Sequence, residues 1–218
     1  VTDRSRATVG EMAQAAAERT LGLIATEPVS GRLGVANATL NVNGQVLNLQ
    51  VLVRDEEAEQ QALQRLAAWC YQYSSQVCIP GDRPGLFLEV EASERLFGQA
   101  PQLAQRLQRE LGRLGYHAMA GSAPTLEAAW LSVHEAAHLA AMGAIRRQLG
   151  PLPLQHLHLE PVQITAMERM GFRQLRDLLR LPRKALTRRF GPALPDYLDR
   201  LLGVRPDPRN LYRPPESF

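Results

Sequence analysis

The sequence predicts an α+β fold, a small sheet with packed helices followed by an all-helical unit, and three observations predict it. Between residues 47 and 146, short apolar runs and helical stripes follow one another as strand, helix, strand, strand, helix, strand, helix. A proline-rich break, GPLPLQHLHLEP, closes that series. Beyond Pro161 every apolar stripe has helical spacing and is short, cut by Gly or Pro. With 218 residues, of which 45% are hydrophobic and 22% charged, the chain can bury a real core as one large or two small domains.

The elements follow in order. ATVGEMAQAAAERT (7–20) is alanine-rich and favours a helix. TLNVNGQVLNL (39–49) reads as a hairpin, because Asn43-Gly44 supplies the positive φ angles of a tight turn. DEEAEQQALQRLAAWCYQY opens with acids that complement a helix N-terminus and places Leu63, Leu66, Ala67 and Cys70 on one face. Gln76 to Ile79 and Leu86 to Val90 flank the turn-forming PGDRPG and read as paired strands. Leu103, Leu107, Leu111 and Leu114 stripe a second helix that Gly115 ends, and HAMAGSA follows as a strand. GSAPTLEAAWLSVHEAAHLAAMG reads as one further helix, with Ala128, Ala129, Leu131, Ala136, Leu139 and Ala140 as its apolar surface. The predicted sheet carries its helices on one face. VQITAMERM, FRQLRDLLRLP, RKALTRRFG and ALPDYLDRLLG are the short helices of the last unit, and VRPDPRNLYRPPESF has the proline content of a linker.

Charge divides the chain. Residues 1–150 hold 13 Arg and 15 acids, net −2, whereas residues 151–218 hold 11 Arg, Lys184 and 7 acids, net +5. The guanidinium fork suits phosphate, so the basic part points toward nucleic acid, with a solvated arginine-rich face as the plainer alternative. No apolar run reaches the ~18 residues that span a bilayer, and the polar VTDRSRATVGEM has no signal-peptide core. A cytoplasmic location is expected. Cys70 and Cys78 sit among apolar neighbours without C-x-x-C spacing and are expected to be buried thiols. Asn37-Ala38-Thr39 matches a glycosylation acceptor but means nothing without export.

Two segments resemble a known family. PGLFLEVEASERLFG (84–98) is similar to the palm strand and following turn of Y-family translesion DNA polymerases, and MERMGFRQLRDLLRLPRKALTRRFGPAL (167–194) to their thumb. In this order they resemble the ImuB-type branch, the mutasome accessory proteins. The resemblance implies a ferredoxin-like palm-type sheet lacking its first strand, with a helix-hairpin-helix-like thumb. It divides the chain into a fingers-like remnant (1–46), a palm-like domain (47–150), a thumb-like domain (151–204) and a linker (205–218) toward an absent little-finger domain. Two-metal phosphoryl transfer needs carboxylates at fixed positions. The family's acid-Glu pair falls on Pro84 and Gly85, and its Asp-x-Asp-Phe-Phe strand is not in the sequence. Glu89, Glu91 and Glu94 lie nearby but read as a strand running out into solvent. The resemblance therefore implies a non-catalytic scaffold in SOS-type damage-tolerant replication and DNA repair. The partners implied are an error-prone polymerase, a RecA-like companion and the sliding clamp, whose binding peptide is not in this sequence.

The DNA-binding candidates are Gly171 and Phe172, at a turn where backbone N–H groups could meet a phosphate, and Arg173, Arg176, Arg180, Arg183, Lys184, Arg188 and Arg189 around it. No cofactor is expected. The alternative enzyme reading is a zinc hydrolase: His134-Glu135-Ala136-Ala137-His138 fits H-E-x-x-H, with both imidazoles on one helical face and Glu135 as general base. It lacks a defined third ligand, although His156, His158 and Glu160 follow on alternate positions. A third reading is a fragment that folds and binds nothing.

Overall fold

A computed structural model describes residues 20–26, 34–42, 45–53 and 56–214. The main sheet has four strands: β1 (Thr20–Thr26), β4 (Val77–Cys78), β5 (Leu86–Glu89) and β6 (His117–Ala123). Its order is β4-β5-β1-β6, antiparallel throughout, with Leu23 opposite both Leu86 and Ala120. β2 (Gly34–Val42) and β3 (Gln45–Val53) form a separate two-stranded hairpin. The expected hairpin is thus present and longer than its sequence signal; Asn43-Gly44 itself lies outside the described residues, as do residues 7–19 of the helix expected over 7–20, whose last residue Thr20 opens β1.

Two expectations about the sheet are corrected. The first strand is not lacking, since Thr20–Thr26 fills the position between β5 and β6. TLGLIAT is an apolar run containing no carboxylate, so it carries none of the acids that mark the family's first strand. The strand expected near residue 47 belongs to the hairpin and does not join the main sheet.

Helices cover both faces of the sheet, not one. α1 (Glu56–Cys70) and α3 (Ala100–Arg113) bury Leu66, Ala67, Cys70, Leu103, Leu107 and Leu111 against Leu86, Leu88 and Ala120. Between them in sequence, a 3-10 turn at Glu91–Ser93 leads into the single-turn α2 (Glu94–Phe97). The opposite face, carrying Phe87 and Ala123, packs on Ala128, Ala129 and Leu131 of α4 (Leu126–His134). The odd-even split of Leu86, Phe87 and Leu88 between two cores follows from the period of a strand buried on both sides.

α4 lies hard against β6. A Cβ on Gly121 would fall 2.4 Å from Ser132 Oγ and 2.5 Å from the Val133 backbone nitrogen. Gly121→Val is therefore expected to cost about 3 kcal/mol or more through overpacking against backbone that cannot give. Urea denaturation would show it, and an unchanged midpoint would mean the helix and strand can separate freely.

The C-terminal unit is α5 (Met142–Gln148), a 3-10 turn at Leu154–His156, α6 (Pro161–Arg169), α7 (Leu175–Leu179), α8 (Arg183–Phe190) and α9 (Ala193–Leu201). Met167, Leu175, Leu178, Leu186, Leu194, Leu198 and Leu201 join the same buried cluster as Phe87 and Trp130, so the helical unit and the sheet unit share one core. Beyond α9 the chain turns back at Gly203, where φ is +67°, and Tyr212 N–H donates to Val77 O on the edge strand β4 at 2.7 Å. That contact covers part of an edge that would otherwise present unpaired backbone. Cys70 and Cys78 are free, buried thiols as expected, and burial pushes Cys70 up to about 12.

Candidate nucleic-acid interface

The turn between α6 and α7 is built by its own backbone. Gly171, at φ +89°, donates to Glu168 O at 3.0 Å, and Phe172 N–H reaches Met167 O at 3.1 Å, which is a Schellman closure of α6. Asp177 then accepts from the backbone N–H groups of Arg173 and Gln174, both at 3.0 Å. The next two amides are also taken: Leu175 donates to Leu152 O at 2.9 Å and Arg176 to Gly150 O at 2.8 Å. The expectation that this turn offers free N–H groups to a phosphate is therefore corrected. A carboxylate already occupies the N-terminus of α7, and its pKa is lowered by the Arg173 backbone bond despite some burial.

The side chains around the turn remain. Arg176, Arg180, Lys184, Arg188 and Arg189 are exposed and form no ion pair among the described residues. Two of the expected cations are engaged inside the protein. Arg173 Nη1 donates to Glu168 O at 2.9 Å, and Arg183 pairs with Asp196 at 2.7 Å and with Asp199. Phe172, partly buried, packs against the core and edge-on toward Phe190, ring centroids 6.2 Å apart. Five of the seven candidate cations, on α7, α8 and their connection, thus have neither an ion pair nor a side-chain hydrogen bond among the described residues, and Arg173, exposed and bonded only to a neutral carbonyl, keeps its charge.

The H-E-x-x-H segment does not form the helical face that zinc binding requires. α4 ends at His134; Ala136 adopts φ +47°, and Ala137 N–H folds back to Ser132 O at 2.9 Å. His138 lies past the break in a bridge beside Ser122, with Nδ1 3.0 Å from Ser122 Oγ. His134 instead meets His156, ring centroids 4.4 Å apart and planes inclined at 43°. Neither the helical expectation for residues 135–141 nor the shared imidazole face survives; a separate helix begins at Met142. No group of three metal-capable side chains occurs among the described residues. Alanine-rich spacing continued the helical pattern past its end, but the backbone of β6 captured Ala137 and Leu139 through Ser122.

Both histidines titrate low, His134 through burial and then His156, His138 through burial. A folded-state pKa below the unfolded value means the unfolded chain binds more protons, so this stability is present above about pH 6.5 and lost as pH falls below it. Thermal melts from pH 7.5 to 5 should show that decline, and a His138→Gln variant should flatten it; equal slopes would remove His138 from the account.

Pro84 and Gly85 precede Leu86, the first residue of the interior strand β5, and no carboxylate of the neighbouring β1 faces them because β1 has none. Glu89 ends the strand; its Oε1 accepts from Glu91 N–H at 2.7 Å, and Glu91 already lies in the 3-10 turn. The acids do not alternate along a strand face.

Sequence reasoning missed Arg83. Immediately before Pro84, its guanidinium makes a bidentate pair with Glu127 of α4, at 2.9 and 3.0 Å, and both side chains are almost wholly buried. Asp82 accepts from the same group at 2.9 Å, Trp130 lies under it at 5.2 Å, and Arg209 of the returning tail reaches Glu127 at 3.2 Å. Burial disfavours the charged form of Asp82, but Arg83, then Arg209 and His158, outweigh it and hold that carboxyl down at about 2. No local pattern joins Arg83 to a glutamate 44 positions away.

Residues 16–134 match the impB/mucB/samB family, more than half of the chain. The chain belongs to this family. It is 33% identical over 162 residues to the protein ImuB of Caulobacter vibrioides, covering 73% of this chain and 35% of that relative. The chain thus spans about a third of the length of the curated relatives it matches. Its fold is similar to DinB from Sulfolobus solfataricus, with TM-score 0.63 and 12% identity over 88% of this chain and 69% of that one. A DinB family error-prone DNA polymerase from the same organism gives TM-score 0.58 and 16% identity over 74% and 51%. At these identities the structures establish the fold alone, that of a Y-family palm and thumb, and it is the 33% identity over 162 residues that makes the chain similar to ImuB. Among the described residues no helix is long and apolar enough to cross a membrane.

Proposed function

We propose that this chain is the palm and thumb of an ImuB-like protein that holds primer–template DNA without extending it, as a scaffold for damage-tolerant synthesis by another polymerase. The observation that carries the reading is Pro84-Gly85 at the head of β5, in a Y-family sheet whose neighbouring strand contains no acid. Neither residue offers a side-chain ligand, so the two ions that would activate a primer hydroxyl and stabilise a leaving pyrophosphate have nothing to hold them there. The exposed Arg176, Arg180, Lys184, Arg188 and Arg189 supply a backbone grip that reads no sequence.

The relatives support the setting. One is named ImuB, and a structural neighbour is described as an error-prone DNA polymerase. Cooperation with a catalytic polymerase, a RecA-like companion and the sliding clamp, in SOS-type repair in the cytoplasm, is the corresponding proposal for the whole protein.

Two assays on one preparation test the proposal. Anisotropy of a labelled primer–template should report binding that weakens steeply with salt, while primer extension with Mg2+ or Mn2+ and all four nucleotides should give no product above the no-protein control. Template-dependent extension would overturn the non-catalytic part, and absence of binding at low salt would overturn the DNA-holding part.

A further inference from the structure

After α9 the chain leaves the thumb and crosses back over the palm, tied down along the way. The first tie is at the junction itself. Thr125 caps α4 by accepting from Ala128 N–H at 3.2 Å, and its hydroxyl donates to Leu201 O, at the end of α9, at 2.9 Å. One buried side chain therefore closes the start of a palm helix and the end of a thumb helix. The chain then turns at Gly203 beside Met142 and Thr125.

The second tie is ionic. Arg209 reaches Glu127 at 3.2 Å and Asp82 at 3.6 Å, both in the palm, and Asp207 holds it from within the segment at 3.1 Å. Asp207 also lies 3.7 Å from Arg200, and Arg205 pairs with Asp196 at 2.9 Å, so the same segment is held to α9. The third tie is on the far side of the palm. Tyr212 N–H donates to Val77 O of β4, and the Tyr212 ring packs against the core beneath α1 and α3. Pro206 and Pro208 fix their own φ angles in between, which lowers the entropy lost when the segment is fastened.

Palm and thumb also share an apolar core. Apolar burial has no direction and lets one unit slide on the other, whereas hydrogen bonds and buried ion pairs are satisfied only over a narrow range of geometry. We infer that residues 203–212 form a strap that sets the angle between palm and thumb, fastened by Arg209 to Glu127 and by the Tyr212 N–H to β4. The cations of the thumb then keep one position relative to the sheet before any ligand arrives.

The test is the distance between nitroxide labels on cysteines introduced at Gln105 of α3 and Thr187 of α8, both exposed, read by double electron–electron resonance. Cys70 and Cys78 are buried, and the chain without the new cysteines serves as the blank. Wild type should give one narrow distance. Arg209→Ala, which leaves Glu127 its two bonds from Arg83, should add a shifted second population. Tyr212→Pro, which removes the donor to Val77, is the second variant and should do the same. Hydrogen exchange on Arg209→Ala should show the Tyr212 amide losing protection while the interior amides of α9 keep theirs, which separates unfastening from unfolding. The same narrow distance in all three chains would mean that the shared core alone sets the angle and would overturn the strap, as would a wild type that is already broad. Loss of protection throughout α9 in Arg209→Ala would make that residue a general stabiliser and overturn it as a fastening.

Discussion

Glu127→Ala should lower the free energy of unfolding by about 3 kcal/mol or more, the largest loss expected from a single polar side chain in this protein. Glu127 accepts two hydrogen bonds from Arg83 and one from Arg209, and its side chain is 1% exposed. Truncation leaves the Arg83 guanidinium, 2% exposed, with Asp82 as its one remaining carboxylate, itself 40% exposed. A buried cation that loses most of its compensation costs several times what an exposed ion pair is worth. Asp82→Asn, at the wet end of the same network, should therefore cost under about 1 kcal/mol. Urea denaturation of the two variants beside wild type decides the matter. If Glu127→Ala proves no worse than Asp82→Asn, the network is ornamental and α4 is held by its apolar face alone.

Why this network stayed invisible in the sequence, while α3 did not, is a matter of range. Leu103, Leu107 and Leu111 repeat at helical spacing within one element, and all three are fully buried where the stripe points. The acids that open α1, the turn residues at Asn43-Gly44 and the strand HAMAGSA are equally local signals. Arg83 and Glu127, by contrast, become partners only once β5 and α4 pack on each other. Thr20–Thr26 illustrates a different failure. The strand has the apolar content of a central strand but none of the metal-binding acids that make the family's palm strand recognisable. The end of α4 shows a third kind, in which tertiary hydrogen bonds to Ser122 overrode a run of alanines and leucines that locally favours helix. The charge asymmetry toward the C-terminal third was legible, yet the internal ion pairs of Arg183 with Asp196 and Asp199 were not, since those acids lie 13 and 16 residues onward on another helix.

That pairing sharpens the second large effect. Replacing Arg176, Arg180, Arg188 and Arg189 together with alanine should abolish most DNA binding, because each is exposed and has no ion pair among the described residues. If all four neutralise phosphates, they contribute about 3 to 4 units to the slope of log affinity against log salt, which alone makes affinity fall about a hundredfold between ~50 and ~200 mM salt. The quadruple variant should lose that component and bind weakly at all salt concentrations. Arg183→Ala is the informative contrast. Its guanidinium already serves Asp196 and Asp199 and is 53% exposed, so its removal should cost the thumb no more than about 1 kcal/mol of stability and leave the salt slope unchanged. Anisotropy titrations of a labelled primer–template at four salt concentrations separate the cases. A quadruple variant with the wild-type slope would mean that DNA, if bound, is held by another surface. An Arg183→Ala variant with a reduced slope would mean that the ion pairs open on binding and that Asp196 and Asp199 restrain a cation the thumb uses.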